Sequence, residues 1–379
     1  MSNPLIVLST GGTGGHIFPA QALAGSLMAR GYRLELITDR RDNAYDGPLK
    51  KMNRHAIQAA GISGRGFAAK IGALGRLAAG YFQAQKLLRN LNPDVVVGFG
   101  GYATLPTLLA ASHLNIKTAV QEQNAVLGRA NRVLAPRATR VATAFKTTTF
   151  LRNADRSKAV WTGNPVRPEI VAVRGVPLPS FGPHTPIELL VIGGSQGASI
   201  FSRVVPDAIA ALPDDLRLRV RITQQCRKED LAQVRDHYAQ AKIQADLSPF
   251  FNDIPQRLAA AHMLICRAGA STMAELTTAG RPAILVPYPH AIDDHQTVNA
   301  ARLSDAGGAW MMPERDFTPM LLTGRLTSLL SVDSTLPMAA RCAAQIGTPE
   351  ATERLADVVA GIISANGNGK QATVRKVAA

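Results

Sequence analysis

The sequence predicts an α/β protein made of two Rossmann-like domains, each with a parallel sheet. Three features carry this reading. Short apolar runs alternate with longer helical patterns, glycine-rich turns follow those runs, and such an opening stands near the start of each half, at Gly11 and Gly193. A length of 379 residues is long for one hydrophobic core, which also points to two domains.

In order along the chain, Leu5–Leu8 leads into "GGTGG" and Asp94–Val97 into "GFGG". Glu188–Ile192 leads into "GGSQG", and His262–Cys266 into "RAGAST". The join falls near "TGNPVRPE", residues 162–169, followed by a Pro/Gly-rich stretch at 175–186. The predicted division is therefore 1–165 plus about 349–365 against 166–348, with the polar stretch 366–379 as a disordered tail. Open α/β sheets bind ligands at the carboxyl ends of their strands, so the glycine turns are where a ligand is expected.

Composition narrows the class. Apolar residues make up 46% of the chain, with no run long enough to span a bilayer. No basic region precedes the first apolar stretch, so no signal peptide is expected. Cys226, Cys266 and Cys342 are far apart and odd in number, which argues for a reducing compartment and against a disulfide framework or zinc site.

The net charge of +15 is unevenly spread. Residues 1–165 carry 21 Lys/Arg against 7 Asp/Glu, while residues 166–379 carry 21 against 20. No carboxylate occurs between Asp46 and Asp94, where Lys50, Lys51, Arg54, Arg65, Lys70, Arg76, Lys86 and Arg89 all stand. Such a field attracts an anionic surface, either acidic lipid or nucleic acid, unless it is merely a soluble basic face.

A glycine turn entering a helix offers backbone N–H groups and a positive dipole to an anion. None of the turns fits G-x-G-x-x-G or the P-loop pattern, which disfavours a dinucleotide enzyme and a P-loop ATPase. Asp39 is read either as a ribose ligand or as part of a "TDRRD" surface turn. His16 stands at a helix start, where the dipole favours neutral imidazole; such a group either accepts a proton from a hydroxyl or simply packs or caps. In "CRAGASTMAEL" the amides of a helix start could take a diphosphate and Glu275 a ribose diol. A plain capping box of Ser271 or Thr272 with Glu275 fits the same letters. "PYPHAIDDHQTVNA" clusters His290, Asp293, Asp294, His295 and Gln296, which suits sugar hydroxyls better than a metal.

Residues 67–90, "FAAKIGALGRLAAGYFQAQKLLRN", place apolar and basic residues near helical spacing. Gly72, Gly75 and Gly80 lower helix propensity, so part of the segment is expected to be loop. Residues 81–88 read as core-facing. Residues 67–77 read as an acidic-membrane contact through Lys70, Ile71, Leu74, Arg76 and Leu77. Few stacking aromatics and no recognisable nucleic-acid module speak against nucleic acid as the partner.

Seven motifs, "GGTGGHIFPA", "GFGGYATLP", "QEQNAVLGRAN", "GNPVR", "GGSQGA", "RAGASTMAEL" and "PYPHAIDDHQTVNA", together resemble the MurG-type N-acetylglucosaminyltransferases of peptidoglycan synthesis. The resemblance covers essentially 1–365. It implies a GT-B architecture, two Rossmann-like domains facing across a deep cleft, with a last helix returning to the first domain. It implies an inverting, metal-independent hexosyltransferase without cofactor that carries N-acetylglucosamine from UDP-N-acetylglucosamine to undecaprenyl-linked lipid I, giving lipid II. Donor contacts would fall on Thr13, Gly14, Gly15, Asn124, Arg167, Ser195, Phe251, Ala270, Ser271, Thr272, Met273, Ala274, Glu275 and Gln296. Within these, Glu275 would take the ribose, Gln296 the sugar hydroxyls, and His16 would be the general base. Implied partners are acidic lipids of the cytoplasmic membrane face and other cell-wall synthesis proteins, with no nucleic acid. The chain departs from the family at Gln121, where histidine is common, at Ala268, where serine is common, and in a loose "FFNDI"; its membrane segment lacks tryptophan. Two rival classes remain, a nicotinamide dehydrogenase and a non-catalytic membrane scaffold.

Overall fold

The computed structural model describes residues 3–12, 14–39, 47–59, 67–182, 184–194 and 197–377, with backbone alone for 67–71 and 366–377. The chain divides into two compact units, Met1–Arg167 with Glu350–Ala379, and Pro168–Pro349.

The first unit runs β1 (Leu5–Ser9), α1 (Gly14–Ala29), β2 (Arg33–Asp39), β3 (Asn53–Ile57), α2 (Phe67–Leu91), β4 (Val95–Gly98), α3 (Thr104–His113), β5 (Lys117–Glu122), α4 (Arg129–Leu134), β6 (Arg140–Thr143) and β7 (Ala159–Trp161). Its seven strands are all parallel, in the order β3-β2-β1-β4-β5-β6-β7. Side chains alternate along a strand, and both faces are covered. Ile6, Leu8, Val95 and Val97 enter one core while Val7 and Val96 enter the other.

The second unit runs α5 (Pro168–Val173), β8 (Ile187–Ile192), α6 (Ser199–Ala210), α7 (Asp214–Arg217), β9 (Val220–Gln225), α8 (Leu231–Gln240), β10 (Gln244–Ser248), α9 (Ile254–Ala260), β11 (Met263–Cys266), α10 (Ala270–Ala279), β12 (Ala283–Leu285), α11 (His295–Asp305), β13 (Ala309–Met311), α12 (Pro319–Leu330) and α13 (Thr335–Ile346). Its six strands are parallel in the order β10-β9-β8-β11-β12-β13.

The last helix, α14 (Ala351–Val377), returns to the first unit. Leu355, Ala356, Val359 and Ile362 join the core that α1 covers. Arg30 of the α1–β2 turn pairs with Glu353 at 2.5 Å and Asp357 at 2.7 Å. These are exposed pairs that orient the helix more than they stabilise it. The helical backbone runs to Val377, so it does not become irregular at residue 366 as the composition predicts.

α2 is likewise one unbroken helix where three glycines predict a partial loop. Gly80 explains one of them. A Cβ there would lie 1.9 Å from the carbonyl oxygen of Gln58, so the helix sits directly on the backbone that follows β3. Packing against the sheet outweighs the low propensity of glycine.

The Pro/Gly-rich stretch before β8 is strapped down by two side chains. His262 accepts from the Glu188 N–H at Nδ1, 3.0 Å, and its Nε2 faces the Ser180 carbonyl at 3.2 Å. Arg219 donates from Nε to the Thr185 carbonyl at 3.0 Å and also bonds Gly182. Burial holds the His262 imidazolium pKa below the ordinary value, with Arg281 and Arg219 acting the same way and Glu188 opposing them. The folded state therefore binds fewer protons here than the unfolded chain. Stability of the second unit should fall as pH drops below about 6.5. Thermal melts from pH 8 to pH 5 should show this loss, and His262→Gln should flatten the dependence.

Candidate active site

Each sheet has one topological switch point, between β1 and β4 in the first unit and between β8 and β11 in the second, and the glycine turns lie there.

In the first unit the turn after β1 and the turn after β4 meet. Gly12, Gly100 and Gly101 have φ of +94°, +91° and +81°, a region that favours glycine. A Cβ on Gly101 would lie 2.2 Å from the Gly11 carbonyl oxygen. His16 stands in the first turn of α1 with its ring over Gly100, where a Cβ would lie 2.8 Å from both Cε1 and Nδ1. Thr10 Oγ1 donates to the His16 carbonyl at 3.1 Å, and Thr104 Oγ1 donates to the carbonyls of Ser9 at 3.1 Å and Gly100 at 2.5 Å. Pro19 lacks the N–H that would bond the Gly15 carbonyl within α1.

Other predicted residues gather around this turn. The Arg167 guanidinium lies 4.8 Å from the centre of the Phe18 ring, and that ring packs against Gly14. Asn124 is fixed by the buried Glu122, whose Oε1 accepts from the Asn124 N–H at 3.0 Å and from its side-chain amide at 3.3 Å. Oε2 of the same carboxylate accepts from the Gly128 N–H and Asn131 Nδ2, each at 2.8 Å. Asp39 is not in a surface turn. It is 4% exposed, and its carboxylate packs against Gly11, where a Cβ would lie 3.1 Å from Oδ2. Thr13 lies outside the described residues.

In the second unit, Gly194 and Gly197 have φ of +87° and +67°. The Gly193 N–H donates to Gln225 Oε1 at 3.2 Å, and Gln225 Nε2 donates to the Pro249 carbonyl at 3.1 Å. Gln225 thereby ties the 193–197 turn to the loop carrying Phe251. That ring is buried beneath Arg257, 4.0 Å from the guanidinium to the centroid, so its side chain is committed to packing. Ser195 lies outside the described residues.

At "RAGAST" the N-cap of α10 is Gly269, so Ser271 and Thr272 stand inside the first turn and neither is the N-cap of the expected capping box. Ala270, Ser271 and Thr272 present first-turn amides, and the first intrahelical bond shown runs from the Met273 N–H to the Gly269 carbonyl at 2.9 Å. The Ser271 hydroxyl is buried with no hydrogen-bond partner among the described residues. Ala274 and Glu275 follow on the same helix. Ala268, the departure from serine, is buried, and its carbonyl accepts from Asn299 Nδ2 at 3.1 Å.

Arg267 was not singled out by the sequence, although it opens the same motif. Its Nη1 donates to the carbonyls of Val286 and Pro287, each at 3.2 Å, and it pairs with Glu314 at 2.5 Å. The Tyr288 N–H then donates to Gln296 Oε1 at 2.9 Å. Asp293 and Asp294 both have left-handed φ, 53° and 52°, and Asp294 accepts from Thr297 Oγ1 at 2.6 Å just before α11. Among the described residues, no three His, Cys, Asp or Glu side chains group to hold a metal ion.

On α2, Leu74 is 66% exposed and Arg76 is exposed, while Leu77 is half-buried. The side chains of Lys70 and Ile71 lie outside the described residues, as does Arg65. Ala84 and Leu88 take core positions, but Phe82, assigned to the core by its place in 81–88, is 64% exposed. It falls two turns after Leu74, on the same stripe. Among the described residues no helix is long and apolar enough to cross a membrane.

Comparison with known proteins agrees with this geometry. Residues 6–143 match the glycosyltransferase family 28 N-terminal domain and residues 188–355 the family 28 C-terminal domain. A UDP-N-acetylglucosamine--N-acetylmuramyl-(pentapeptide) pyrophosphoryl-undecaprenol N-acetylglucosamine transferase from Rhodospirillum centenum is 51% identical over 370 residues, 98% of this chain and 97% of that one. The protein of the same description from Brucella suis biovar 1 is 46% identical over 360 residues, 95% of this chain and 94% of that one. The crystal structure of Acinetobacter baumannii MurG superposes with a TM-score of 0.76 at 30% identity, covering 94% of this chain and 100% of that one. Two parallel α/β units that match both family 28 domains place the chain among glycosyltransferases of the GT-B class. The chain belongs to glycosyltransferase family 28, among the MurG-type N-acetylglucosaminyltransferases.

Gly100→Ala should displace the His16 ring, because the new methyl needs the ring's space and the backbone conformation disfavours it. Transferase turnover should fall about 10²-fold in a protein that still folds by circular dichroism.

Proposed function

We propose that the chain transfers N-acetylglucosamine from UDP-N-acetylglucosamine to the 4-hydroxyl of the muramyl sugar of lipid I, giving lipid II with inversion at the anomeric carbon. The observation that carries the donor side is the buried, unpartnered Ser271 hydroxyl in the first turn of α10, a helix whose N-cap is Gly269. Its amides and dipole stabilise the charge that develops on the leaving diphosphate. Glu275 takes the ribose hydroxyls, and Gln296, oriented by the Tyr288 N–H, takes the sugar hydroxyls. Thr13, Gly14, Gly15, Asn124, Arg167, Ser195 and the Phe251 backbone complete the donor contacts.

The acceptor oxygen attacks C1 of the sugar as the bond from C1 to the diphosphate oxygen breaks, and the electron pair leaves with UDP. His16 takes the hydroxyl proton. Its seat on Gly100 supports this role, because a ring held by a backbone floor loses little further freedom on reaching its working position. The same name at 51% identity over nearly the whole length of a relative supports the substrates.

UDP release from UDP-N-acetylglucosamine, measured with and without a lipid I analogue, tests the reading. Acceptor-dependent release is expected, unchanged by EDTA, and reduced about 10²–10⁴-fold in His16→Ala with donor binding intact. Release that ignores the acceptor in the folded protein would sink it.

The exposed stripe of Leu74 and Phe82, with Arg76, Lys86 and Arg89 exposed on the same helix, supports docking on an acidic membrane face. Flotation with phosphatidylglycerol vesicles, and none with phosphatidylcholine, is expected. Leu74→Glu with Phe82→Glu should abolish it while leaving turnover on a soluble acceptor analogue in place.

A further inference from the structure

Three buried amide side chains in the first unit form a chain of hydrogen bonds that the transferase reading leaves without a role. Gln121, Gln123 and Asn164 are 0%, 2% and 6% exposed. Gln123 Nε2 donates to the Phe99 carbonyl at 2.6 Å and to Gln121 Oε1 at 2.5 Å. Gln121 Nε2 donates in turn to Asn164 Oδ1 at 3.1 Å. Gln123 donates in both directions, so the chain links the turn after β4 to the segment that ends in Arg167.

Both ends of this chain meet α1. At one end the Phe99 peptide is held twice, its N–H bonding the Ser9 carbonyl at 2.9 Å and its carbonyl bonding Gln123. The next residue, Gly100, is the floor under the His16 ring. At the other end Asn164 stands three residues before Arg167, whose guanidinium lies against Phe18, two residues after His16. Contacts therefore close a circuit from His16 through Gly100, Phe99, Gln123, Gln121, Asn164, Arg167 and Phe18 back to α1.

We propose that Gln121 and Gln123 are positioning residues, a buried amide brace that sets the height of the His16 floor and its spacing from Arg167. The proposal rests on the transferase reading above. Gln123 donates twice, Gln121 accepts once and donates once, and Asn164 accepts, so only side chains with that polarity keep the circuit closed. The charged and ionisable groups around the brace are His16, above Gly100, Arg167, against Phe18, and Glu122, whose carboxylate is engaged with Asn124, Gly128 and Asn131.

Two substitutions of similar size separate polarity from packing. Gln123→Met removes both donated bonds and should lower kcat about ten- to a hundredfold at every pH, with donor KM moved far less. Gln123→Glu sets a carboxylate against two carbonyl oxygens. It can donate one bond only when protonated, so its kcat relative to the parent should be lowest at pH 9 and rise severalfold by pH 6. A purely structural role would lower the melting temperature and leave that ratio flat. If neither variant folds, Gln121→Met should show the same kcat loss from one bond further away. The parent chain's acceptor-dependent UDP release is the control. Its absence defeats the transferase reading; its presence, with folded variants within twofold of the parent or a flat Gln123→Glu ratio, defeats the brace.

Discussion

The site of the first unit depends on a close approach of two backbones. The turn after β4 lies so near the turn after β1 that Gly101 has no room for a Cβ beside the Gly11 carbonyl. This contact holds the carboxyl ends of adjacent parallel strands together at the switch point of the sheet, where the chain directions on either side diverge. It places His16 on Gly100 and sets Gly11 against Asp39. The second unit repeats the device at β8. A Cβ on Gly193 would lie 2.4 Å from the Ala198 N–H nitrogen, so the turn folds back on the start of α6. Glycine is required in both places by the crowding of backbone on backbone.

Around these turns the protein uses its arginines in distinct ways. Arg281 is buried and donates to carbonyls of Leu258, Ala259, Ala279, Val176 and Pro177, gathering the end of α9 and the preceding strap. Burial lowers its pKa, and five backbone acceptors offset the loss of water. Arg267 joins the loops after β11 and β12, and Arg257 presses on Phe251. Arg167 rests on an aromatic face, and the resemblance makes it a candidate donor ligand. One residue type thus serves as backbone clamp, loop tie and candidate ligand, and burial and carbonyl supply separate the three.

Much of this was legible in the letters. The strands read clearly because runs such as Leu5–Ser9 and Val95–Gly98 are buried on both faces, and the glycine turns follow them directly. What escaped was set by partners far away in the chain. α2 stays helical through Gly80 because the Gln58 carbonyl needs that space. Asp39 reads as a surface turn until Gly11 is seen against it. Ser271 and Thr272 fit a capping box by spacing, but the helix starts at Ala270, which puts both inside its first turn and beyond the capping position. Gln225 and Arg267 gave no local signal, since their hydrogen-bond partners lie 24 and 32 residues away for the first and 19 and 20 for the second. Phe82 lies within the stretch 81–88 that reads as core-facing, yet a helix drawn onto the sheet at Gly80, Ala84 and Leu88 turns it outward.

The sequence by itself determined the two parallel α/β units and the family. Those follow from local patterns, apolar runs and glycine spacings that act within one strand, turn and helix. Only the tertiary structure decided which face of α2 is bare, that Asp39 is buried, that Gly269 is the N-cap of α10, and that Gln121, Gln123 and Asn164 form one chain ending at the Phe99 carbonyl. Each of these depends on which distant backbone group fills the space or takes the hydrogen bond, and burial makes that choice only once the sheets have assembled.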